Sequence, residues 1–435
     1  MSRKVFISFL GGNLYEPCAY RFNDGFTSQK VRFIQEATLL HLTDTERWEQ
    51  NDIAYILLTE GAKQKNWEDD GHKDKNGNTI STEGLKTRLS KSNIPMRVEP
   101  IDGIPECMNE NEIMSLFSRV FGLLNDEDTL YLDITHGFRF LPMLILVLSS
   151  YSRFLKNTRI NSITYGNFES KKGECAPVTD LLPLASLLDW TFAAGQFAKG
   201  GNMEELIRLS NDELLPILKE SKGKDLGAKQ LRYFIKLLQD FINERQFCRG
   251  KSIIQSKVFS KLKLEYDNLG KSDTLIPPLM PVLNHIGGTF EGLDTEENIK
   301  NGYLAAKWCY DNGLYQQSIT ILQENMITEI CMEAGIDWQS EVYRSFISAM
   351  KTKASKPDES VRLPDVPEKE EIFNNMYNSE SWKKLQKDYQ RLSGYRNNIN
   401  HSEMNRDGNF KVDDFKKVIA DVLQNCMNRD SQDKQ

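Results

Sequence analysis

The sequence lacks any run of about 18 apolar residues, the length that a membrane-spanning helix needs. Its longest apolar segment, residues 138–148, contains Arg139 and Pro142 and is too short to cross a bilayer. The first residues, MSRKVFISFLGGN, contain a short apolar run followed by two glycines and an asparagine that are typical of a turn. This pattern fits a first β-strand better than a signal peptide. We therefore expect a cytoplasmic protein with no membrane partner.

Cysteine is also scarce, and the seven cysteines of the 435-residue chain are scattered without a C-x-x-C pair. An odd number of isolated cysteines argues against a disulfide framework and against a zinc site, so we expect a reducing compartment and no metal. The motifs G-x-x-x-x-G-K-S/T and G-x-G-x-x-G are absent, which removes support for ordinary nucleoside triphosphate or dinucleotide binding. The net charge of −7 excludes a globally basic nucleic-acid binder but not a local nucleic-acid site.

The first part of the chain, residues 1–178, alternates β-rich apolar segments with helical patterns. Such alternation predicts an α/β domain in which helices cover both faces of a mostly parallel sheet. A polar segment rich in Gly, Asn and Lys, residues 63–94, is expected to form a surface excursion. The strands are predicted at 4–11, 52–62, 96–102, 129–137 and 160–169, and the helices at 30–40, 113–124 and 138–155.

The second part, residues 179–435, shows helical periodicity and no strand signals, which predicts an all-α region. A chain of 435 residues is also too long for one ordinary core, so two or three domains are expected. Residues 353–371 hold three prolines and many charges and predict a loop insertion. Helices are predicted at 203–210, 228–243, 302–309, 316–334 and 382–395.

Polar side chains follow the fourth predicted strand in the segment DITHGFR, residues 133–139. In a doubly wound parallel sheet, ligands bind at the carboxyl ends of the strands, and free backbone N–H groups there favour anions. His136 offers a further hydrogen bond, as does Thr135, while Arg139 offers a charge-assisted one and Gly137 admits close approach to the backbone. The alternative interpretation is structural, because Asp133 and Thr135 are also suited to cap the helix that follows.

Glycine and polar residues also follow three other predicted strands, in the segments GGN, TEGA and GNFE. Because the carboxyl ends of parallel strands meet at one edge of the sheet, we expect a floor for an anionic, nucleotide-like ligand there. Turn formation is the ordinary alternative for Gly and Asn at these positions. The predicted ligand-binding residues are Gly11, Gly12, Asn13, Thr59, Glu60, Gly61, Ala62, Asp133, Thr135, His136, Gly137, Phe138, Arg139 and Asn167.

A second polar group lies near the C-terminus, in the segment YRNNINHSEMN. Arg396 and His401 lie on either side of four residues, of which Asn397 and Asn400 are expected to position a substrate. This pair suits metal-independent RNA cleavage, because His moves protons near neutral pH and Arg stabilises charge on a phosphoryl group. The alternative is a polar helix end, where Arg, His and Asn are also common.

The two groups together resemble a known family. Residues 133–137 match a D-x-T-H-G motif, and Arg396 with His401 matches an R-x(4–6)-H motif, with the polar Asn397 directly after the arginine. In this order they resemble the CRISPR-associated CARF–HEPN ribonucleases, the type III accessory nucleases of the Csx and Csm type. Residues 305–330 are similar to the helical pair that precedes the catalytic helix in that family. The resemblance implies a Rossmann-like CARF sensor domain in residues 1–178 and a helical HEPN domain, with its catalytic helix near 382–402, in residues 179–435.

The resemblance also implies an activator, a substrate and an assembly. A cyclic oligoadenylate, with tetra-adenylate favoured over hexa-adenylate, would bind across two CARF domains of a homodimer or a larger assembly. Binding would activate paired HEPN domains, in which two copies of Arg396 and His401 cut single-stranded RNA for antiviral defence. Two alternatives stay open: a ring nuclease that degrades the activator with help from Thr135, His136 or Arg139, and a non-catalytic nucleotide-sensing module.

Overall fold

The computed structural model describes residues 2–269, 279–402, 404 and 411–432. The chain packs as two compact units, Met1–Asp189 and Trp190–Gln435. The division predicted from the sequence, between residues 178 and 179, falls somewhat earlier, near the end of the last strand. In the described part of the chain, no helix combines the length and the apolar character that crossing a membrane requires.

The first unit is built on a mostly parallel sheet, as predicted. Its strands are β1 (Lys4–Phe9), β2 (Ala19–Arg21), β3 (Ile53–Leu57), β4 (His72–Lys73), β5 (Thr79–Ile80), β6 (Arg97–Ile101), β7 (Thr129–Asp133), β8 (Arg159–Gly166) and β9 (Cys175–Asp180). Seven of them form one sheet in the order β2-β9-β8-β7-β1-β3-β6, and β4 pairs with β5 as a separate hairpin. The five adjacent strands β8, β7, β1, β3 and β6 run parallel. After β1 the chain forms β3 and β6 on one side of it and then β7 and β8 on the other, so the strand order reverses between β1 and β7. That reversal is the point where ligands bind in doubly wound sheets.

Helices cover both faces of this sheet. They are α1 (Ile34–Thr45), α2 (Glu60–Ala62), α3 (Leu85–Lys91), α4 (Glu110–Gly122) and α5 (Leu141–Lys156). Helix α6 (Leu182–Gly200) begins in this unit, where Ala185 is part of the core, and its residues from Trp190 onward belong to the second unit. In β1, Val5, Ile7 and Phe9 pack in one core with α4 and α5, whereas Phe6, with Leu10 just beyond the strand, packs in another with α1 and α3. Burial on both faces explains why β1 is mostly apolar, because each fully buried side chain of this size contributes about 1.5–3 kcal/mol.

Residues 63–94 are more than the surface excursion predicted from their polarity. Lys63–Trp67 form a π-helical turn, and the hairpin and α3 follow it. The side chains of Trp67, Leu85 and Leu89 are buried in the core shared with α1. The prediction was wrong for these three side chains, because so few apolar residues among many polar ones give no periodic signal.

The regular elements in the described part of the second unit are all helices, as predicted. Its helices are α7 (Glu204–Leu209), α8 (Leu215–Glu220), α9 (Leu226–Gln246), α10 (Gly250–Ile254), α11 (Lys257–Leu269), α12 (Leu279–Gly287), α13 (Ile299–Asp311), α14 (Tyr315–Glu333), α15 (Glu341–Arg344), α16 (Phe346–Ser355), α17 (Lys369–Asn378), α18 (Glu380–Asn400) and α19 (Val412–Gln432). Helix α14 packs against both α13 and α18 in one hydrophobic core that includes Met326 and Trp382. Within the predicted insertion at 353–371, residues 356–368 form no helix or strand.

Candidate functional site

The loops after β1, β3 and β7 meet at the point where the chain reverses across the sheet. Ser8 of β1 is paired with the last residue of β7, so the two following loops leave the sheet side by side. A Cβ atom built on Gly11 would lie 3.5 Å from the Cβ atom of His136. A Cβ atom on Gly12 would lie 4.0 Å from the backbone oxygen of Gly61, after β3. The predicted strand ends therefore come together here.

A buried hydrogen-bond network ties these strand ends to β8 and α1. The Asp133 side chain is 1% exposed and accepts hydrogen bonds from Ser8 Oγ at 2.6 Å and from Thr135 Oγ1 at 2.5 Å. Thr135 Oγ1 accepts the N–H of Gly166 at 2.7 Å, and Gln35 Nε2 donates to Ser8 Oγ at 3.0 Å. Burial raises the pKa of Asp133, and the hydrogen bonds from Ser8 and Thr135 oppose that rise. The side chains of Asp133 and Thr135 thus join the strand ends beneath the predicted ligand-binding surface. Direct ligand contact by these side chains stays a prediction.

His136 forms the aromatic part of the floor together with Tyr15. Their ring centroids lie 4.3 Å apart with an interplanar angle of 22°. Gly11 makes room for this stack, since a Cβ atom there would lie 2.0 Å from the hydroxyl oxygen of Tyr15. Burial lowers the pKa of His136 to about 4 and raises the pKa of Tyr15 to about 12, so both rings are neutral near pH 7. A neutral stacked pair of this kind suits the face of a nucleobase.

The stability of the first unit is expected to depend on His136 at mildly acid pH. The folded pKa of about 4 lies below the ordinary value of 6.5, so the unfolded chain takes up the proton first. The contribution of His136 to stability is therefore complete above pH 6.5 and is lost as the pH falls towards 4, by about 2 kcal/mol between pH 7 and pH 5. Thermal unfolding of the wild type should shift further over this range than that of His136→Phe, which keeps a ring on Tyr15. Equal shifts for the two proteins would contradict this account.

Asn66, which sequence reasoning missed, holds the loop after β1 in place. Its side chain is fully buried, and its Nδ2 donates to the backbone oxygens of Gly11 at 2.8 Å and Asn13 at 2.7 Å. Its Oδ1 accepts from Arg32 Nη2 at 2.8 Å and lies 3.0 Å from His72 Nε2. The polar segment 63–94 thus reaches under the predicted ligand loop. No local pattern around Asn66 indicates this role, because its partners lie more than 30 positions away along the chain, except for His72.

Several other predicted residues have local structural roles as well. Thr59 caps α2, since its hydroxyl accepts the N–H of Ala62 at 3.2 Å. Asn167 caps a short 3₁₀ turn in the same way, through the N–H of Ser170 at 3.2 Å. Glu60 is exposed beside the floor. These capping contacts neither support nor contradict a ligand contact, so the ligand-binding roles of Thr59, Glu60 and Asn167 stay predictions.

The loop after β7 ends in a glycine, an aromatic residue and a cation. Gly137 has a φ of +112°, and a Cβ atom on it would lie 3.1 Å from Phe9 Cβ, so only glycine fits this position without strain. Phe138 stacks on Phe140 with ring centroids 5.3 Å apart. Arg139 is exposed and forms no ion pair with any residue that the structure describes. Its charge is therefore available to an anionic ligand.

The second predicted group lies at the end of α18. The side chain of Arg396 is half-buried, and its Nη1 donates to Gln323 Oε1 at 3.1 Å and to Glu324 Oε1 at 2.9 Å. The other oxygen of Glu324 accepts from Arg344 Nη2 at 2.7 Å, so two guanidinium groups share one carboxylate. Gln323 also donates to Ser393 Oγ at 2.6 Å. Helix α14 therefore fixes the orientation of the predicted catalytic arginine.

His401 lies one residue beyond α18, where its backbone N–H donates to the carbonyl oxygen of Asn397 at 3.0 Å. Its imidazole and the side chain of Asn397 are exposed, and Asn400 Oδ1 accepts from Gln316 Nε2 at 3.5 Å. Arg396 and His401 share this helix end, although no hydrogen bond joins their side chains in the part of the chain that is described. Among the described residues, no three His, Cys, Asp or Glu side chains come together in a group suited to a metal ion.

Comparison with known proteins identifies the first unit. Residues 5–169 match the family described as "CRISPR system endoribonuclease Csx1, CARF domain", a range that includes all four strand ends of the floor. The chain is also 26% identical over 348 residues to the CRISPR-associated protein MJ1674 of Methanocaldococcus jannaschii. That match spans 73% of this chain and 46% of the relative, so this chain covers less than half of that protein's length. Residues 5–169 are therefore a CARF domain, and the chain is a CARF-containing relative of CRISPR-associated proteins.

Proposed function

We propose that the protein is a type III CRISPR accessory endoribonuclease, which cuts single-stranded RNA without a metal when a cyclic oligoadenylate binds its CARF domain. One observation carries this proposal. A chain whose residues 5–169 match the CARF domain of endoribonuclease Csx1 also presents Arg396 and His401 together at the end of α18. An arginine with a histidine suits phosphoryl transfer by acid–base catalysis, and among the described residues no group of three acidic side chains suited to a metal lies beside them.

Cleavage is proposed to proceed by attack of the 2′-oxygen of RNA on the neighbouring phosphorus. The 2′-hydroxyl proton passes to the imidazole of His401, and the bond between phosphorus and the 5′-oxygen breaks. The leaving 5′-oxygen takes a proton from the imidazolium of His401 in a second copy of the chain, which yields a 2′,3′-cyclic phosphate and a 5′-hydroxyl. The exposure of His401 at a helix end suits a composite site in which two copies of α18 meet across a two-fold axis.

Arg396 is oriented so that it can receive the phosphoryl group. Gln323 and Glu324 hold Nη1, whereas Nη2 makes no hydrogen bond among the described residues. The Nε atom is buried and has no hydrogen-bond partner there either. Nη2 is therefore the guanidinium nitrogen that is expected to donate to a phosphate oxygen in the transition state.

The floor of the CARF domain is proposed to bind the cyclic activator. The neutral rings of His136 and Tyr15 suit an adenine base, and the exposed charge of Arg139 suits a phosphate. A ring-shaped ligand with internal symmetry matches a pair of CARF domains in a homodimer. Ligand binding would then shift the paired helical units towards the cutting arrangement, which links the two sites thermodynamically.

A titration of RNase activity against cyclic tri-, tetra- and hexa-adenylate tests the proposed function. With EDTA present and a labelled single-stranded RNA, we expect cleavage to rise with tetra-adenylate at the lowest concentration, and products with 2′,3′-cyclic phosphate ends. The His401→Ala protein, purified in parallel, controls for contaminating nucleases. Absence of cleavage with every ring size would contradict the proposal. Recovery of the intact ring after prolonged incubation would exclude the alternative of a ring nuclease, since that enzyme would linearise the activator.

A further inference from the structure

Two adjoining cavities form a groove in the second unit, beside the buried side of Arg396. One cavity has a volume of about 240 Å³ and lies between α10, α14 and α15, and the other has a volume of about 520 Å³ and lies along α10. Cys248, Gly250 and Lys251 line both cavities, which makes the groove continuous. We call this feature the α10 groove, and its cationic lining residues are Arg249, Lys251, Lys257 and Arg344.

The charge of the α10 groove is strongly positive for a protein whose net charge is −7. Glu324 is the one carboxylate among the lining residues, and it is already shared by Arg344 and Arg396. Arg249, Lys251 and Lys257 are exposed, and their side chains form no ion pair or hydrogen bond with any described residue. Glu244, outside the lining, interacts electrostatically with Arg249, whereas Lys251 and Lys257 have no ion-pair partner in the described part of the chain. The groove therefore keeps a net positive charge.

The α10 groove leads to the predicted catalytic helix end. Glu324 lines the smaller cavity and accepts a hydrogen bond from Arg396 Nη1 at 2.9 Å, so the guanidinium lies next to the groove wall. The Sγ atom of Cys248 lies 4.0 Å from the backbone oxygen of Gln317. The preceding residue, Gln316, donates to Asn400 of α18. Hence α14 forms one wall of the groove and also holds the end of α18.

The walls of the α10 groove suit a single-stranded nucleic acid rather than a small anion. Beside the cations lies the half-buried ring of Trp338, and the buried side chains of Ile254 and Ile321 form part of the wall behind it. A basic groove with an aromatic side chain suits single strands, because phosphates pair with the cations while a base stacks on the ring. An elongated basic groove without a deep pocket contacts the backbone and reads little sequence.

We propose that the α10 groove binds the phosphodiester backbone of single-stranded RNA and guides the strand to Arg396. This inference rests on the proposed function, since it assigns the path of the substrate to the proposed cleavage site. Arg249 and Lys251 are positioning residues in this scheme, because they hold the strand and do not touch the reacting atoms. Contact with the backbone alone means that single-stranded DNA of the same length binds equally well, although it lacks the 2′-hydroxyl and is not cut.

Binding measurements on the full chain carrying His401→Ala test the α10 groove without cleavage of the probe. Fluorescence anisotropy with labelled 12-nucleotide oligo-U and oligo-dT gives the affinity at several salt concentrations. With Arg249→Ala and Lys251→Ala added, we expect about a tenfold weaker affinity for both strands at moderate salt. The slope of log K against log salt should also fall by about 1.4, since each lost phosphate contact removes about 0.7.

A matched control removes one arginine and one lysine elsewhere on the same unit. Arg362→Ala with Lys219→Ala changes two exposed side chains outside the groove lining and should leave both affinity and slope unchanged. Arg249→Lys with Lys251→Arg keeps the charges and should retain the affinity within about twofold, because backbone binding is electrostatic. We call Arg249→Ala with Lys251→Ala the groove pair, and Arg362→Ala with Lys219→Ala the control pair. Loss of affinity in the control pair, or full affinity in the groove pair, would overturn the inference. A groove pair that keeps RNA binding but loses binding to polyglutamate would also overturn it, in favour of a protein partner.

The inference and the proposed function fail in different ways. If the wild type does not cut RNA with any activator but the groove pair still weakens binding, the proposed function is wrong and the groove assignment holds. If the wild type cuts RNA and the groove pair binds and cuts normally, the groove assignment is wrong and the proposed function holds.

Discussion

Replacing His401 by alanine is expected to lower the rate of RNA cleavage by about 10²–10⁴-fold, the range that positioned acid–base catalysts contribute. The imidazole is exposed and lies beyond the last residue of α18, so its removal leaves the packing of the helical unit intact. The affinity for the cyclic activator and the thermal stability should therefore stay unchanged. Single-turnover cleavage of labelled RNA with saturating activator measures the effect on the chemical step.

His285 provides the matched control for this substitution. It is an exposed histidine of the same unit, on α12, with no role in the proposed reaction. His285→Ala should cut RNA at the wild-type rate. If His401→Ala retained more than a tenth of the wild-type rate while His285→Ala behaved normally, His401 would have no catalytic role.

Replacing Asp133 by alanine is expected to destabilise the CARF domain by about 2–4 kcal/mol, because buried donors are left without an acceptor. The groups affected are the hydroxyls of Ser8 and Thr135 and the backbone N–H of Thr135. Removal of a buried carboxylate offsets part of this loss, since burial alone disfavours the charged form. Hydrogen exchange of the amides in β1, β7 and β8 reports the opening free energy of this unit without interference from the helical one.

Asp180 supplies a control at the end of β9, another strand of the same sheet. It is exposed and accepts one hydrogen bond, from the N–H of Leu182 at 2.9 Å. Asp180→Ala should lower the free energy of unfolding by about 1 kcal/mol or less, as expected for the loss of an exposed helix cap. Equal effects of the two substitutions would mean that the buried network around Asp133 contributes nothing beyond a local cap.

The sheet was predictable because its strands are buried on both faces. A strand such as β1, with Phe6 on one face and Ile7 on the other, is mostly apolar on both faces and stands out against polar loops. The predicted strands at 4–11 and 129–137 accordingly contain β1 and β7. The short strand β2 and the half-exposed β9 escaped prediction, because three residues or an exposed Pro177 give no continuous apolar run.

The candidate site was predictable where its residues are close in sequence or follow neighbouring parallel strands. The strand ends follow from the sheet topology, and the structure brings Gly11 beside His136. Tertiary partners were not predictable, and Glu324 is an example: it holds Arg396 from 72 positions earlier in the chain. No local pattern marks such a residue, because its role is set by how α14 packs on α18.

The contacts of Asn66 have a consequence for anyone who wishes to transplant this sensor into a reporter. Polar insertions between strands are usually trimmed when a domain is minimised, and residues 63–94 look suitable for trimming in the sequence. Yet both amide hydrogens of Asn66 hold the loop that carries Gly11 and Asn13, and no other side chain donates to those two oxygens in the described structure. A minimal form of this domain must therefore keep the insertion, since it supports the predicted ligand loop after β1.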